Sequence, residues 1–126
     1  IRKNNSEIVT LATKIKDKKK VKDENIVKVA ISKNNNAYKA IFFSRAAIPY
    51  NSSSYYEHVG IYAYDIAILK KFIALKQGVL EKLESLEQLR ALENKINIDV
   101  SIINKAPNSI DTPTDLKNYL NSNKKN

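Results

Sequence analysis

The 126-residue chain has no cysteine, no methionine and no tryptophan, and it contains only two glycines and three prolines. Without cysteine, neither a disulfide nor a thiolate metal site can form. Apolar residues still make up 43% of the sequence, which is enough for a packed core. The composition therefore excludes disulfide scaffolds and zinc–thiolate modules and indicates an ordinary globular domain.

Long apolar runs are also missing from this sequence. Its uninterrupted apolar stretches are far shorter than the roughly 20 residues that a membrane-spanning helix requires. The chain begins at Ile1 rather than at a methionine, so we expect it to be part of a longer polypeptide. We predict a cytoplasmic protein with no membrane partner.

Positive charge predominates, with 22 Lys and Arg against 13 Asp and Glu and a formal net charge of +9. Such a balance is typical of proteins that bind nucleic acid, anionic membranes or acidic substrates. The densest basic run, residues 14–22, contains no aromatic side chain that could stack on a base. Lys, Asn and Ile are all abundant, as AT-rich codons would produce. We therefore interpret the basic run as a solvated face and expect no nucleic-acid partner.

Apolar periodicity predicts both strands and helices. The strands are expected at residues 8–12, 26–31, 38–44, 58–64 and 96–103, and the segment 26–44 is expected to form a hairpin. Helices are expected over residues 65–75 and 80–94, with a last one beginning near Thr112 and with Leu83, Leu86 and Leu89 in the core. The mixture predicts a single α/β domain with a mixed sheet and flanking helices.

Four segments carry a resemblance to a known family. They are Phe-Phe-Ser-Arg at 42–45 with Ile-Pro-Tyr at 48–50; His-Val-Gly-Ile-Tyr-Ala-Tyr at 58–64; Leu-Glu at 80–81, leading into Glu-Ser-Leu-Glu-Gln-Leu-Arg at 84–90 and Leu-Glu at 92–93; and Asp-Thr-Pro at 111–113 with Asp-Leu at 115–116. In this order and spacing they resemble the CMP-Kdo synthetases, the cytidylyltransferases that activate the acid sugar Kdo (3-deoxy-manno-octulosonate). The similarity extends over nearly the whole chain.

The resemblance implies a Rossmann-like nucleotide-sugar transferase fold, of which this chain corresponds to the C-terminal, sugar-binding and dimer-forming half. The implied reaction transfers CMP from CTP to Kdo, releases pyrophosphate, uses Mg²⁺ and serves lipopolysaccharide biosynthesis. CTP and Kdo are the expected substrates, and a homodimer is the expected assembly. The phosphate loop and Gln-Gly-Asp segment of the family do not occur in this sequence. We therefore expect the isolated chain to be inactive and its sheet to expose an unpaired edge.

Asp111 is the candidate metal ligand and catalytic residue. It lies one residue before Thr112, which is a predicted helix N-cap, with Pro113 at the first helical position. The start of a helix favours an ionised carboxylate, which a metal ligand must be. An acid that merely complements the helix start is the alternative from the residues alone. The resemblance implies that Asp111 binds Mg²⁺.

His58 and Tyr62 are candidate substrate-binding residues. On the predicted strand they share one face with Gly60 and Tyr64, because side chains alternate along a strand. Gly60 between them would leave room for a ligand. The alternative is an aromatic core face that contains one hydrogen-bonded histidine. The resemblance implies that His58 and Tyr62 contact Kdo.

Three further residues are candidates for sugar binding: Glu87, Gln88 and Arg45. On a helix, Glu87 could simply pair with Arg90 and Gln88 with Glu84, as residues three or four apart do. The resemblance instead implies that Glu87 and Gln88 bind sugar hydroxyls. Arg45 ends a strand, and a guanidinium can hold a carboxylate through two hydrogen bonds, so we predict that it binds the carboxylate of Kdo. A surface cation is the alternative for Arg45.

Other functions remain open from the sequence. One is a cytidylyltransferase for a related acid sugar, of the sialic type or an amino form of Kdo, although the segment at 84–90 favours Kdo. Another is a catalytically inactive remnant that acts as a structural or interaction module. A third is a basic nucleic-acid-binding protein, which the net charge alone would support.

Overall fold

The computed structural model describes residues 6–35, 37–104 and 117. The strands are β1 (Ile8–Lys14), β2 (Lys28–Asn34), β3 (Ala37–Ser44), β4 (Tyr56–Tyr64) and β5 (Ile98–Ile103). The helices are α1 (Lys18–Val21), α2 (Ile66–Ala74), α3 (Val79–Glu84) and α4 (Leu89–Glu93). This mixed sheet with accompanying helices confirms the α/β prediction, and the antiparallel pairing of β2 with β3 confirms the predicted hairpin.

The sheet closes on itself in the order β1-β4-β2-β3-β5. β5 returns beside β1 in parallel, and the other pairs are antiparallel. Each of the five described strands therefore has a neighbour on both sides. The expectation of an unpaired sheet edge is wrong for the described part of the chain, because β5 covers the edges of both β1 and β3.

One apolar cluster forms the core of the described structure. It consists of Ile8, Ala12, Val29, Ala40, Phe43, Phe72, Leu86, Leu89, Ala91, Ile96, Ile98 and Val100. In β1 and β5 the core members lie an even number of positions apart, as expected for side chains on one face of a strand. In β3, Ala40 and Phe43 lie three positions apart because the pairing with β2 is irregular between them. Phe72 comes from α2, and Leu89 and Ala91 come from α4, so these helices pack their apolar sides against the sheet.

A bulge interrupts the pairing of β4 with β1. Gly60 and Ile61 have no partner on β1, because the register shifts between Thr10 and the residue after it. The Thr10 hydroxyl lies at this bulge and donates a hydrogen bond to the Ile61 carbonyl oxygen over 2.8 Å. Since two residues are inserted, His58 and Tyr62 on either side of the bulge remain on the same face of the sheet.

The single helix predicted over residues 80–94 is wrong. The chain forms α3 and α4 instead, separated at Ser85, which adopts a left-handed conformation with φ 57° and ψ 45°. A residue in this conformation ends a right-handed helix. Glu87 and Gln88 therefore lie in the turn between the two helices, and Gln88 occupies the N-cap position of α4.

The break also changes which leucines are buried. Leu86 and Leu89 are buried as predicted, whereas Leu83 is 76% exposed. The prediction that Leu83 belongs to the core is therefore wrong. It assumed one continuous helix with a single apolar face, whereas α3 ends before Leu86 and Leu89, the leucines that are buried.

The start of α3 is capped by a distant carboxylate. Gly78 occupies the N-cap position and has no side chain to accept a hydrogen bond. The Glu93 carboxylate takes this role and accepts from the Glu81 backbone N–H over 3.0 Å. A Cβ atom at Gly78 would collide with that carboxylate.

We expect Gly78→Ala to lower the melting temperature by about 5 °C, because Glu93 must move away and abandon the cap. Gly60→Ala is the matched control, since a Cβ there meets nothing within 4 Å. Thermal unfolding followed by circular dichroism measures both. Equal melting temperatures for the two variants would contradict this account of Gly78.

Candidate active site

A row of rings runs from β3 across β4 to α2. The centroid separations are 4.8 Å for Phe43–His58, 5.5 Å for His58–Tyr62, 5.9 Å for Tyr62–Tyr64 and 6.3 Å for Tyr64–Phe72. These distances are within the range of favourable aromatic contacts. The row forms a packed wall that presents an imidazole and two phenol groups.

The surroundings of His58 indicate its tautomer. Its Nε2 lies 2.8 Å from Thr10 Oγ1. Thr10 has one hydroxyl proton, and the carbonyl oxygens of Ile61 at 2.8 Å and Val59 at 3.2 Å are both within its reach, so we infer that Oγ1 donates to a carbonyl and accepts from a protonated Nε2. The other ring nitrogen, Nδ1, is then an acceptor, and it has no hydrogen-bond partner among the described residues. Burial lowers the pKa of His58 to about 4, so the ring is neutral at pH 7.

The negative charge of Glu87 acts on the tyrosine part of this wall. Burial raises the pKa of Tyr62, and the neighbouring Tyr64 and the negative charge of Glu87 raise it further. Burial and the charge of Glu87 likewise raise the pKa of Tyr64. Both phenols therefore remain protonated donors. The structure brings two predicted site residues, His58 and Tyr62, together in one row, and the charge of a third, Glu87, acts on Tyr62.

A cleft of about 430 Å³ adjoins Glu87, and Gln77, Lys82 and Arg90 are among its lining residues. Gln88 follows Glu87 in the turn and is half-buried. Its side chain does not cap α4, and its role in sugar binding stays a prediction. Glu87, whose charge acts on the tyrosines, therefore also lines a polar cleft.

Arg45 occupies a different environment from the one predicted. Its guanidinium donates to the carbonyl oxygens of Glu84 over 3.1 Å, Glu24 over 3.1 Å and Ser85 over 3.4 Å. Two of these carbonyls lie at the end of α3. Binding of a sugar carboxylate by Arg45 stays a prediction, and the observed contacts give it a role in holding the end of this helix.

A buried ion pair beside the site was not predicted from the sequence. Arg90 donates from Nε to Glu81 Oε1 over 2.8 Å and from Nη2 to Oε2 over 2.6 Å, and it lies over the Phe72 ring at 5.1 Å. Arg90 hence pairs with Glu81 rather than with Glu87, three residues away. The hydrogen bonds from Arg90 lower the pKa of the Glu81 carboxyl, opposed by burial.

Tyr64 and Thr10 were also missed as site residues. Tyr64 carried a usable signal, because it lies two positions beyond Tyr62 on the same strand face. Thr10 carried none, since its contact with His58 joins two distant parts of the chain. Asp111, the predicted metal ligand, lies outside the described residues. Within the described ranges, no group of three His, Cys, Asp or Glu side chains could hold a metal ion, and no helix is long and apolar enough to cross a membrane.

The fold and site define an α/β domain whose polar–aromatic wall can donate and accept hydrogen bonds from a polyhydroxylated ligand. The sequence model of the cytidylyltransferase family matches residues 1–98, and the chain belongs to this family. The predicted resemblance to the CMP-Kdo synthetases is confirmed by the relatives that the chain matches.

Two of these relatives are 3-deoxy-manno-octulosonate cytidylyltransferases. The enzyme of Bartonella henselae is 44% identical over 113 residues, which cover 89% of this chain and 46% of that protein. The enzyme of Paramagnetospirillum magneticum is 42% identical over 113 residues, which cover 88% of this chain and 46% of that protein. The chain thus spans about half the length of the curated relatives it matches.

A solved structure shows the same relationship. The chain is similar to a CMP:2-keto-3-deoxy-manno-octonic acid synthetase complexed with CTP, with a TM-score of 0.76 and 31% identity. The match covers 96% of this chain and 51% of that one. This likeness confirms the predicted nucleotide-sugar transferase fold.

Proposed function

We propose that this chain carries the acid-sugar site of a cytidylyltransferase that transfers CMP from CTP to Kdo and releases pyrophosphate, for lipopolysaccharide biosynthesis. The observation that carries the proposal is the shared face of His58 and Tyr62 on β4, whose ring centroids lie 5.5 Å apart, together with the negative charge of Glu87, which acts on Tyr62 from the turn between α3 and α4. The names of the relatives support the choice of sugar and nucleotide. A homodimer and a cytoplasmic location belong to the same proposal.

The proposed reaction depends mainly on how the sugar and CTP are positioned. A sugar hydroxyl attacks the α-phosphorus of CTP, the new P–O bond forms, and the bond to pyrophosphate breaks. Neutral His58 accepts a hydrogen bond from the sugar through Nδ1, while the protonated Tyr62 donates one. Glu87 and Gln88 bind further hydroxyls, and the open space over Gly60 lets the sugar ring approach the strand.

Mg²⁺ and Asp111 remain part of the proposal. A magnesium ion, when bound, would neutralise charge on the phosphates of CTP. Asp111 is its proposed ligand, since a carboxylate oxygen is a donor that this hard cation prefers.

We expect Glu87→Ala to weaken the binding of Kdo about tenfold, because it removes a charge-assisted hydrogen bond to the sugar. Calorimetric titration of Kdo into the complete natural polypeptide that contains this chain measures the affinity. Release of pyrophosphate with CTP, Mg²⁺ and Kdo measures the activity. Glu57→Ala is the matched control, since it removes a carboxylate from β4 next to His58, outside the ring row.

The outcomes separate the remaining functions. Binding of Kdo that falls in Glu87→Ala and holds in Glu57→Ala supports the proposal. Tighter binding of a sialic-type acid or of an amino form of Kdo would change the sugar and keep the class of enzyme. If the complete polypeptide binds none of these sugars and releases no pyrophosphate, the proposed function is wrong.

A further inference from the structure

We infer that Arg45 is a positioning residue for the proposed sugar site. It fixes the direction of the turn that carries Glu87 and Gln88, and it does so through backbone carbonyls at the end of α3. The inference rests on the proposed function, because it states how the carboxylate of Glu87 is held in place to meet the sugar.

The guanidinium of Arg45 connects two segments that are far apart in sequence. Nε and Nη2 donate to the carbonyl oxygens of Glu84 and Ser85, over 3.1 and 3.4 Å. The last carbonyls of a helix have no partner within the helix and need one from elsewhere. Nη1 donates to the carbonyl of Glu24, over 3.1 Å. Arg45 thus joins the end of α3 to the loop that precedes β2.

Ser44 holds the same helix end from its side chain. Its hydroxyl lies 3.0 and 2.9 Å from the two carboxylate oxygens of Glu84. The Arg45 backbone N–H donates to Oε1 of the same carboxylate over 3.2 Å. We refer to Ser44, Arg45, Glu84 and Ser85 as the α3 clamp. In this clamp both the main chain and the side chain of Glu84 are bound to the end of β3.

The other anchor of Arg45 is a fixed loop. Lys28 is fully buried, and its ammonium donates to the carbonyl oxygens of Asp23 over 2.8 Å and of Ile26 over 2.6 Å. These bonds close the loop on either side of Glu24. The guanidinium of Arg45 is therefore anchored to a loop that the sheet itself holds in position.

The turn after α3 needs such a clamp because α3 does not dictate its path. Ser85 is left-handed, so the chain leaves the helical direction there. Glu87 follows two residues later and is exposed. The ring row on β4 is instead held by the sheet. Removal of the Arg45 side chain should consequently displace Glu87 and leave His58 and Tyr62 in place.

A double-mutant cycle between Arg45→Ala and Glu87→Ala tests the inference in the complete natural polypeptide. We expect Arg45→Ala to raise the KM for Kdo about tenfold while the KM for CTP stays within about twofold. In the Glu87→Ala background, Arg45→Ala should cause almost no further loss. Arg45→Lys should recover only part of the affinity, because one ammonium cannot replace a planar guanidinium that reaches three carbonyls. If the losses of Kdo affinity in the two single variants add in full in the double variant, the inference is overturned. That result would indicate that Arg45 contacts the sugar directly.

A second measurement does not depend on the sugar. Hydrogen exchange of backbone amides should become faster in Arg45→Ala at residues 86, 90 and 91, whose N–H groups donate to carbonyl oxygens around this turn. It should stay unchanged at residues 58–64. Lys39→Ala, an exposed change on β3, the strand that Arg45 follows, is the control. Unchanged exchange at residues 86, 90 and 91 would overturn the inference even where Kdo binds. If the parent polypeptide does not bind Kdo, the proposed function fails, and the exchange data still decide whether Arg45 fixes the turn.

Discussion

Replacing Glu81 by alanine is expected to lower the melting temperature by about 10 °C. Only 4% of the Glu81 side chain is exposed, and its two carboxylate oxygens accept from Arg90 over 2.8 and 2.6 Å. Gln77 adds a longer hydrogen bond of 3.3 Å. The variant loses these bonds and leaves the Arg90 guanidinium over Phe72 without its counter-charge. Of the bonds between α3 and α4, the one from the Glu81 backbone N–H to Glu93 remains.

Thermal unfolding at pH 7 measures this effect, with Lys82→Ala as the control on the same helix. Lys82 is exposed, and its removal should change the melting temperature by less than about 2 °C. Glu81→Gln keeps the shape of the side chain without its charge, and its melting temperature should lie between those of Glu81→Ala and Lys82→Ala. Because the pKa of Glu81 is lowered, its stabilisation is present at neutral pH and is lost as the pH falls through the folded-state pKa. A Glu81→Ala protein that melts with the Lys82→Ala control would show that the pair is not stabilising.

His58 is expected to remove about 3 kcal/mol from the free energy of unfolding between pH 7 and pH 4. Its pKa falls from 6.5 to about 4 because the ring is buried. Between pH 6.5 and pH 4, His58 is protonated in the unfolded chain and neutral in the folded chain. The neutral ring therefore favours the folded state fully above pH 6.5, and this contribution is lost as the pH falls towards 4.

Urea unfolding at several pH values measures the effect in the parent and in His58→Gln. Glutamine can place an amide N–H near the position of Nε2 and keep the hydrogen bond to Thr10, but it does not titrate. Carboxylates titrate in both proteins, so the difference between the two pH profiles isolates His58. Parallel profiles would rule out a low pKa for this histidine.

The strands could be predicted from sequence because their signal is local. The β-branched and aromatic residues of β2, β3 and β4 alternate or cluster within each segment. The break between α3 and α4 could not be predicted in the same way. Leucines continue at helical spacing through residues 80–92, and nothing in that pattern marks Ser85 as left-handed. Its conformation accompanies a contact of Ser85 with Arg45 and a contact of Glu84 with Ser44, each with a partner about forty residues away.

The same difference between local signals and long-range contacts applies to the residues of the site. The shared face of His58 and Tyr62 follows from strand alternation, and its link to a sugar came from the family resemblance. The partner of His58 is Thr10, 48 residues away, and the partner of Arg90 is Glu81, nine residues away. Neither spacing belongs to a regular helix or strand. These contacts become visible only once the sheet and its helices are assembled.

The parallel pairing of β1 with β5 has a consequence for how the chain folds. Ile8 lies beside Ile98, so about ninety residues separate two strands that must pair. The chain loses entropy when this long loop closes, before the contacts between the strands can stabilise it. The β2–β3 hairpin needs only a short turn and can form early. Such distant contacts slow the search for the native topology. The Thr10–His58 contact depends on β1 and β4, so the wall that carries the proposed site should form cooperatively with the whole sheet and not as a local pocket.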